Sequence, residues 1–364
     1  MTTTAKTDKA MAKLQKQSKA AAPGQPEKPG QAPGEQVGLS QGQIVRKRFL
    51  GNTAAVASLV LLVLILLLAY TSGGFFGIPG WWKYTHNQVN DLVNGGAPTL
   101  RLFPFSLGDH PFGQDRLGRD TFAQTMRGVQ ISVAVMFIIG LVGGFIGVVV
   151  GAAAGYFRGF VESVLMRLTD IVIIIPLIIL AAVLGQLAGS RVPAGVQPYA
   201  LGLLVGAAVW TGLARLVRAE FLSLREREFV DAARIAGASS ARIIFKHILP
   251  NAVGVIIVSV TLSMSSAILL ETSLSYIGMG VKAPDVSLGL LISQNQEAFS
   301  TRPWLFWWPG MFIVAICLCV NFIGDGLRDA FDPRQKKFRA KRAKDAPVQS
   351  PVPTPSGPGQ LTDA

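Results

Sequence analysis

The chain has 364 residues, of which 50% are hydrophobic and 15% charged, with a mean hydropathy of +0.43. That balance excludes an ordinary soluble domain and points to several membrane spans. The net charge is +13, yet the basic residues flank membrane-length apolar runs, where orientation signals belong, so nucleic-acid binding is not their reading.

In chain order, residues 1–43 are rich in Lys, Ala, Gln, Pro and Gly and carry almost no large apolar side chain. Such a segment cannot bury a core and is expected to be a disordered cytoplasmic tail. The first apolar run begins near Leu50, too far along for a cleavable signal peptide and long enough to span, so it reads as the first transmembrane helix. Six such runs are expected, at about 50–70, 129–155, 168–188, 198–216, 252–272 and 305–324. The tails and the 215–246 connector hold most of the 34 lysines and arginines, which favours both termini in the cytoplasm. An external loop at 71–128 then carries Trp81 and Trp82, an interfacial belt or a binding element, and the run HPFGQDRLGRD from His110 to Asp120. The stretch Asp120 to Gly128 is expected as a short helix lying on the membrane.

Gly143, Gly147, Gly151 and Gly155 recur every four residues in span two, a stripe without side chains that lets another helix come close, as static packing or as a sliding contact. Asp170 opens span three, and Pro176 either kinks it or is merely tolerated there. Glu271 ends span five and Asn321 lies near the inner end of span six. Polar groups at that depth face protein or water, so Asp170, Pro176, Glu271 and Asn321 are candidates for a pathway or gate, in competition with helix-end snorkelling or interhelical hydrogen bonds. Cys317 and Cys319 sit two apart on a helix, pointing to different faces, and suggest neither a disulfide nor a metal pair. Residues 336–364 read as a second disordered cytoplasmic tail, leaving a membrane domain at 44–335.

The segment 218–250 separates two apolar runs and is polar, Arg-bearing and amphipathic. Glu228 to Arg234 has acidic residues early and then Ala232 and Ala233, a helix start. Gly237 allows a bend or a close backbone approach. Ser239 or Ser240 can cap a second helix to about Ile248, which Pro250 would close. Two short helices at an angle would form a knob whose alanines let it seat in a cleft. The alternative is a connector lying on the lipid surface, held by Arg234, Arg242 and Lys246.

The sequence has no Gly-x-x-x-x-Gly-Lys-Ser/Thr to cradle phosphates, its three histidines stand in no metal-ligand spacing, and its single Gly-x-Ser-x-Gly match, Gly38 to Gly42, falls in the polar stretch before the first apolar run and not between a strand pattern and a helix.

The spacing Asp231, Ala232, Ala233, Gly237, Leu249, Pro250 resembles the EAA loop of bacterial ABC importer permeases. HPFGQDRLGRD resembles the run before span two of peptide-importer permeases. Leu270 to Gly280, LETSLSYIGMG, and Asn321 to Arg334, NFIGDGLRDAFDPR, resemble two further segments of the same proteins. Together they look like the C-type permease of the dipeptide/oligopeptide/nickel ABC importer family, over about 44–335. The resemblance implies an all-α integral membrane protein of six transmembrane helices with the type I ABC importer permease fold, set in the bacterial cytoplasmic membrane. It implies a coupling loop at 218–250, with Asp231, Ala232, Ala233, Gly237, Arg242, Leu249 and Pro250 meeting a separate ATPase. The implied partners are a homologous second permease, one or two ABC ATPase subunits, an extracytoplasmic solute-binding protein, a peptide and the lipid bilayer, but no nucleic acid. No cofactor is expected on this chain, ATP with magnesium being held by the ATPases, and no enzyme activity of its own. Departures are Asp231 for the usual Glu, Gln114 for Thr, and Ser287-Leu288-Gly289 for Ser-Trp-Gly in the loop after span five. The rival cargoes are nickel, glutathione or another small solute. The rival classes are an ATP-independent channel or facilitator and a scaffold.

Overall fold

The computed structural model describes residues 41–332 apart from Phe75, Phe76, Leu102, Pro104 and Phe105. The expected disordered tails lie outside the described residues, except that 41–43 open a helix, α1 (Gln41–Leu50).

Gly51 and Asn52 break α1 from α2 (Thr53–Gly73), where Asn52 Oδ1 accepts the Ala55 N–H at 3.3 Å as an N-cap. A long irregular segment follows, in which isolated bridges such as Val89–Arg119 and Gln114–Asp120 pin the chain. The next helix, α3, runs unbroken over Thr121–Phe157. The expected surface helix at Asp120–Gly128 is thus the first two turns of α3. Asp120 is its N-cap, accepting from Ala123 N at 2.8 Å, and the residues after it are buried, so nothing ends the helix before the apolar run. Arg158 and Gly159, both with positive φ, turn the chain back.

The third expected span is broken. α4 (Gly159–Ile174) and α5 (Leu177–Arg191) meet at 85°. Ile175 precedes a proline and is extended (φ −75°, ψ 123°), as the clash with the proline ring requires, and Pro176 then starts α5, where its missing N–H is harmless. Pro176 therefore makes an elbow rather than a kink. The fourth is broken more gently, by 42°, between α6 (Gln197–Gly206) and α7 (Thr211–Arg225). After α8 (Glu228–Ile235), a 37-residue helix, α9 (Ser240–Tyr276), crosses the bundle, followed by α10 (Leu288–Asn295) and α11 (Trp304–Phe331). Four of these helices are long and apolar enough to cross a membrane, and counting each bent pair as one span gives six.

α3 is the centre. Its glycine stripe lies against α6 and α7: a β-carbon on Gly143, Gly147, Gly151 or Gly155 would come within 3.1 Å of a backbone oxygen of Gly206, Trp210, Ala214 or Arg218, respectively. α2, α9 and α11 close the remaining sides of a core that includes Met126, Val135, Met136, Ile268 and Ile316. A second apolar cluster (Tyr156, Val217, Phe221, Val230, Ile243, Ile248) lies at the end of the bundle that carries α8. That end is called here the knob end, and the opposite one, with the irregular segment and α10, the loop end.

Candidate coupling and translocation site

At the knob end, α8 is anchored by Val230, fully buried in the second cluster, while Asp231, Ala232 and Ala236 stand exposed and Ala233 is half-buried. Asp231 pairs with Arg234 (Oδ1–Nη1 2.8 Å). The helix ends on Gly237 at φ +78°: Ala238 N–H bonds the Ala233 oxygen at 3.0 Å and Gly237 N–H the Arg234 oxygen at 2.9 Å, a Schellman turn whose left-handed residue favours glycine. The space around Gly237 is open, so conformation alone requires the glycine there.

Ser239 caps the next helix, its hydroxyl accepting the N–H of the exposed Arg242 at 3.4 Å. This helix does not close at Pro250. Ile243–Ile248 winds as a π-helix, and the Leu249 N–H reaches back to Ile244. The wider turn relieves the clash of the Pro250 ring with the preceding turn, and α9 continues as the fifth span. Leu249 is half-buried against the second cluster and Pro250 is exposed. The knob is thus α8 plus the first turns of α9, and Ile235, 89% exposed, is its most prominent apolar side chain beside Phe245.

Of the four pathway candidates, the structure separates two from the open face. Glu271 is fully enclosed. It accepts from Ser132 on α3 (Oε2, 2.9 Å) and from Ser275 (Oε1, 2.7 Å), Ser132 also accepts the Leu288 N–H at 3.2 Å, and Ser275 accepts from Val281 N at 3.1 Å and Ser287 at 3.2 Å. Glu271 lines no open space here; it joins α3, α9, α10 and the turn between them. Asn321 is half-buried, its amide 3.6 Å from Cys317 Sγ. Asp170 and Pro176, by contrast, lie on an exposed face. Asp170 meets Arg215 of α7 at 2.6 Å, their side chains 53% and 49% exposed. A 340 Å³ cavity between α3, the elbow, the α6–α7 break and α9 is lined by Ile139, Leu177, Val209, Ser263, Ser266 and Leu270, among others. Sequence reading missed Arg215, Ser132 and these α9 serines. The recurrence of Ser259, Ser263, Ser266 and Ser273 at helical spacing was the available signal.

At the loop end, the HPFGQDRLGRD run is structural. Asp120 holds His110 Nδ1 at 2.7 Å and Trp82 Nε1 at 2.9 Å, so Trp82 belongs to this cap while Trp81 remains exposed. Asp115 accepts the N–H groups of Leu117 and Arg119, both at 2.9 Å, and Gln114 bonds Val93, Asp91 and Gly118. His86, half-buried beside Arg127, Asp285 and Arg119, has its imidazole pushed below the ordinary 6.5, first by burial and then by Arg127. Ser287-Leu288-Gly289 seats α10: Ser287 caps it, Leu288 is fully buried, and a β-carbon on Gly289 would meet Thr272 backbone at 2.7 Å. Among the described residues no His/Cys/Asp/Glu group could hold a metal ion.

The sequence matches two family models: binding-protein-dependent transport system inner membrane component over residues 147–337, and the N-terminal TM domain of oligopeptide transport permease C over residues 40–98. It is 37% identical over 300 residues to the oligopeptide transport system permease protein OppC of Mycobacterium tuberculosis (strain H37Rv), spanning 82% of this chain and 97% of that protein. The OppC protein of Escherichia coli (strain K12) is 38% identical over 299 residues, or 82% and 93% of the two chains. A putative peptide permease of Brucella ovis is 36% identical over 305 residues, or 83% and 94%. A chain of the inward-facing MetNI methionine ABC transporter aligns at 22% identity over 57% of this chain and 96% of that one, with a TM-score of 0.47. On the family model and these relatives, the chain belongs to the binding-protein-dependent transport system inner membrane components, the multi-pass permease subunits of ABC importers.

Proposed function

We propose that residues 44–335 form half of a peptide path across the bacterial cytoplasmic membrane, with both termini in the cytoplasm. A homologous second permease supplies the other half, one or two ABC ATPase subunits seat on the knob, and an extracytoplasmic solute-binding protein delivers peptide at the loop end. This chain breaks no bond and holds no cofactor; ATP with magnesium acts in the ATPases. The observation that carries the reading is the knob: a capped helix on its own apolar cluster, with Ile235 and the small residues Ala232, Ala236 and Gly237 turned outward. A connector lying on lipid has no need of a glycine-terminated helix anchored by Val230. The exposed Asp170–Arg215 pair supports the path, because half-exposed charges within spans must face water or protein and not lipid. The oligopeptide names of the relatives support the cargo.

The test is a disulfide crosslink from single cysteines at Ala236 and Ser239, both exposed, with Cys317 and Cys319 replaced by alanine, to an ATPase carrying cysteines around its cleft. A yield that changes with ATP is expected. No crosslink in any nucleotide state, with insertion verified, would overturn the coupling reading and favour an ATP-independent channel.

A further inference from the structure

The Asp170–Arg215 pair differs from its neighbours. Towards the knob end, Arg218 grips Glu162 through two nitrogens and Arg225 bonds the Tyr156 carbonyl, contacts that tie α7 to α4 and to the end of α3. Arg215 gives Asp170 one hydrogen bond, Nη2 to Oδ1 at 2.6 Å. Among the described residues, the other guanidinium N–H groups and the second carboxylate oxygen have no protein partner, and both side chains are about half exposed. The exposed side chains around it include the apolar Ile171, Ile174 and Leu216 and, one turn before Asp170, the basic Arg167. The pair also has a defined place along the bundle. Asp170 precedes the elbow and Arg215 follows the α6–α7 break, so both lie to the knob side of the cavity that Leu177 and Val209 line. Ser263 and Ser266 add hydroxyls to that cavity, which is otherwise apolar. A peptide leaving it would meet one cation and one anion that hold each other loosely.

We propose that Asp170 and Arg215 are specificity-determining residues that pass charged peptide groups by exchanging partners: a peptide ammonium takes Asp170 while a peptide carboxylate takes Arg215, and the pair re-forms behind them. The idea rests on the peptide-import reading above. An intact pair is neutral as a unit and favours neither sign of side chain. Removing one member leaves an unpaired charge beside the cavity, which attracts one sign and repels the other. This accounts for placing an ion pair, rather than two serines, beside a largely apolar cavity.

The experiment uses the complete importer in vesicles, with this chain, its partner permease, ATPases and binding protein. ATP-driven uptake is compared for three peptides of equal length whose side chains are cationic, anionic or neutral, each normalised to the wild-type importer so that the binding protein's preference cancels. With Asp170→Asn, uptake of the cationic relative to the anionic peptide should fall about tenfold, the lower end of what a charge-lined cleft achieves. With Arg215→Gln it should shift the other way. A strut would instead lower all three peptides by one factor in both variants, and that result overturns the proposal while leaving import intact. No uptake of any peptide by the wild-type importer overturns the import reading, and this one with it. Should a single variant fail to insert, Asp170→Cys in the cysteine-free background keeps the question open to refutation, because charge is then added after folding. A thiol reagent bearing a sulfonate should restore the cationic-to-anionic ratio and one bearing a trimethylammonium should lower it further; equal effects of the two reagents would refute exchange.

Discussion

Gly151 stands where α3 and α7 touch most closely. An added β-carbon would lie 2.5 Å from the Ala214 carbonyl oxygen, 2.7 Å from Val217 Cβ and 3.1 Å from the Arg218 nitrogen. All three atoms are fixed by the α7 backbone, so no rotamer change relieves the contact, and carbon atoms prefer about 3.5–4.0 Å. The helices would have to part by about 1 Å. Overpacking of that kind costs about 1–3 kcal/mol, against about 1 kcal/mol gained by replacing glycine with alanine inside a helix. Gly151→Ala should therefore destabilise by about 0–2 kcal/mol, and Gly151→Val, with two more methyl groups against the same wall, by more. Gly310 in α11 is the control, because a β-carbon there meets nothing within 4 Å. Gly310→Ala should stabilise by up to about 1 kcal/mol. The assay is thermal unfolding of the purified chain in detergent, followed by a thiol-reactive dye at Cys319, which is 3% exposed in the folded protein. The expected order of midpoints is Gly310→Ala, wild type, Gly151→Ala, Gly151→Val. If Gly151→Ala were as stable as Gly310→Ala, the close-contact account of the stripe would be wrong.

Three further outcomes are expected. Gly237→Ala meets no steric block but forces an L-residue to φ +78°, which costs about 1 kcal/mol, so the end of α8 should fray and ATP-dependent crosslinking of the knob should weaken, less so for Gly237→Asn. Glu271→Ala should cost about 3 kcal/mol or more, because it opens a cavity and strips partners from buried Ser132 and Ser275, whereas Glu271→Gln keeps the shape and should cost less; unfolding midpoints decide it. His86 binds its proton more weakly folded than unfolded, so the unfolded chain takes up the proton first as pH falls below about 6.5 and stability drops with it; His86→Gln should flatten that part of the stability–pH curve and change nothing above it.

The knob was legible because its signals are local. Asp231, the alanines and Gly237 declare a short helix and its end within ten residues, and α8 with its Schellman turn follows. The breaks in the third and fourth spans were not legible, because a hydropathy window records composition and not the direction of the axis. Pro176 marked the first break, though not an 85° angle, and the second falls at Ala207–Trp210, which contains neither Gly nor Pro. The π segment before Pro250 is equally silent: nothing in IIFKHI says that the helix will widen to carry the proline instead of stopping at it. The polar stretch after Asp120 reads in sequence as a short helix on the membrane surface, whereas in the fold its residues are buried against α10 and the irregular segment and continue into the apolar run. For Glu271 the sequence leaves pathway lining and an interhelical hydrogen bond both open, because its partner Ser132 lies 139 residues away and no single-sequence pattern connects the two.

α9 shares with α3 the distinction of crossing the bundle as one unbroken 37-residue helix. Two of its neighbours are jointed near their middles, at the elbow and at the 42° break, whereas α9 runs without a bend of that kind from Ser240 in the knob to Tyr276 beside the Glu271 cluster. At 1.5 Å per residue its 37 residues make a rod about 55 Å long. A tilt of about 5° imposed at the knob would sweep the far end through about 5 Å over that length, roughly one helical turn. The rod ends where Ser132 and Ser275, themselves bonded to the α10 cap, share hydrogen bonds with a single carboxylate, so on the coupling reading proposed above a small push at the knob would arrive at the loop end as a displacement large enough to exchange one packing for another. The jointed spans can stay with either neighbour while it moves. On that coupling reading, α9 is in mechanical terms the lever, the glycine-lined α3–α7 contact its bearing, and the elbow at Pro176 the slack that keeps the rest of the bundle from seizing.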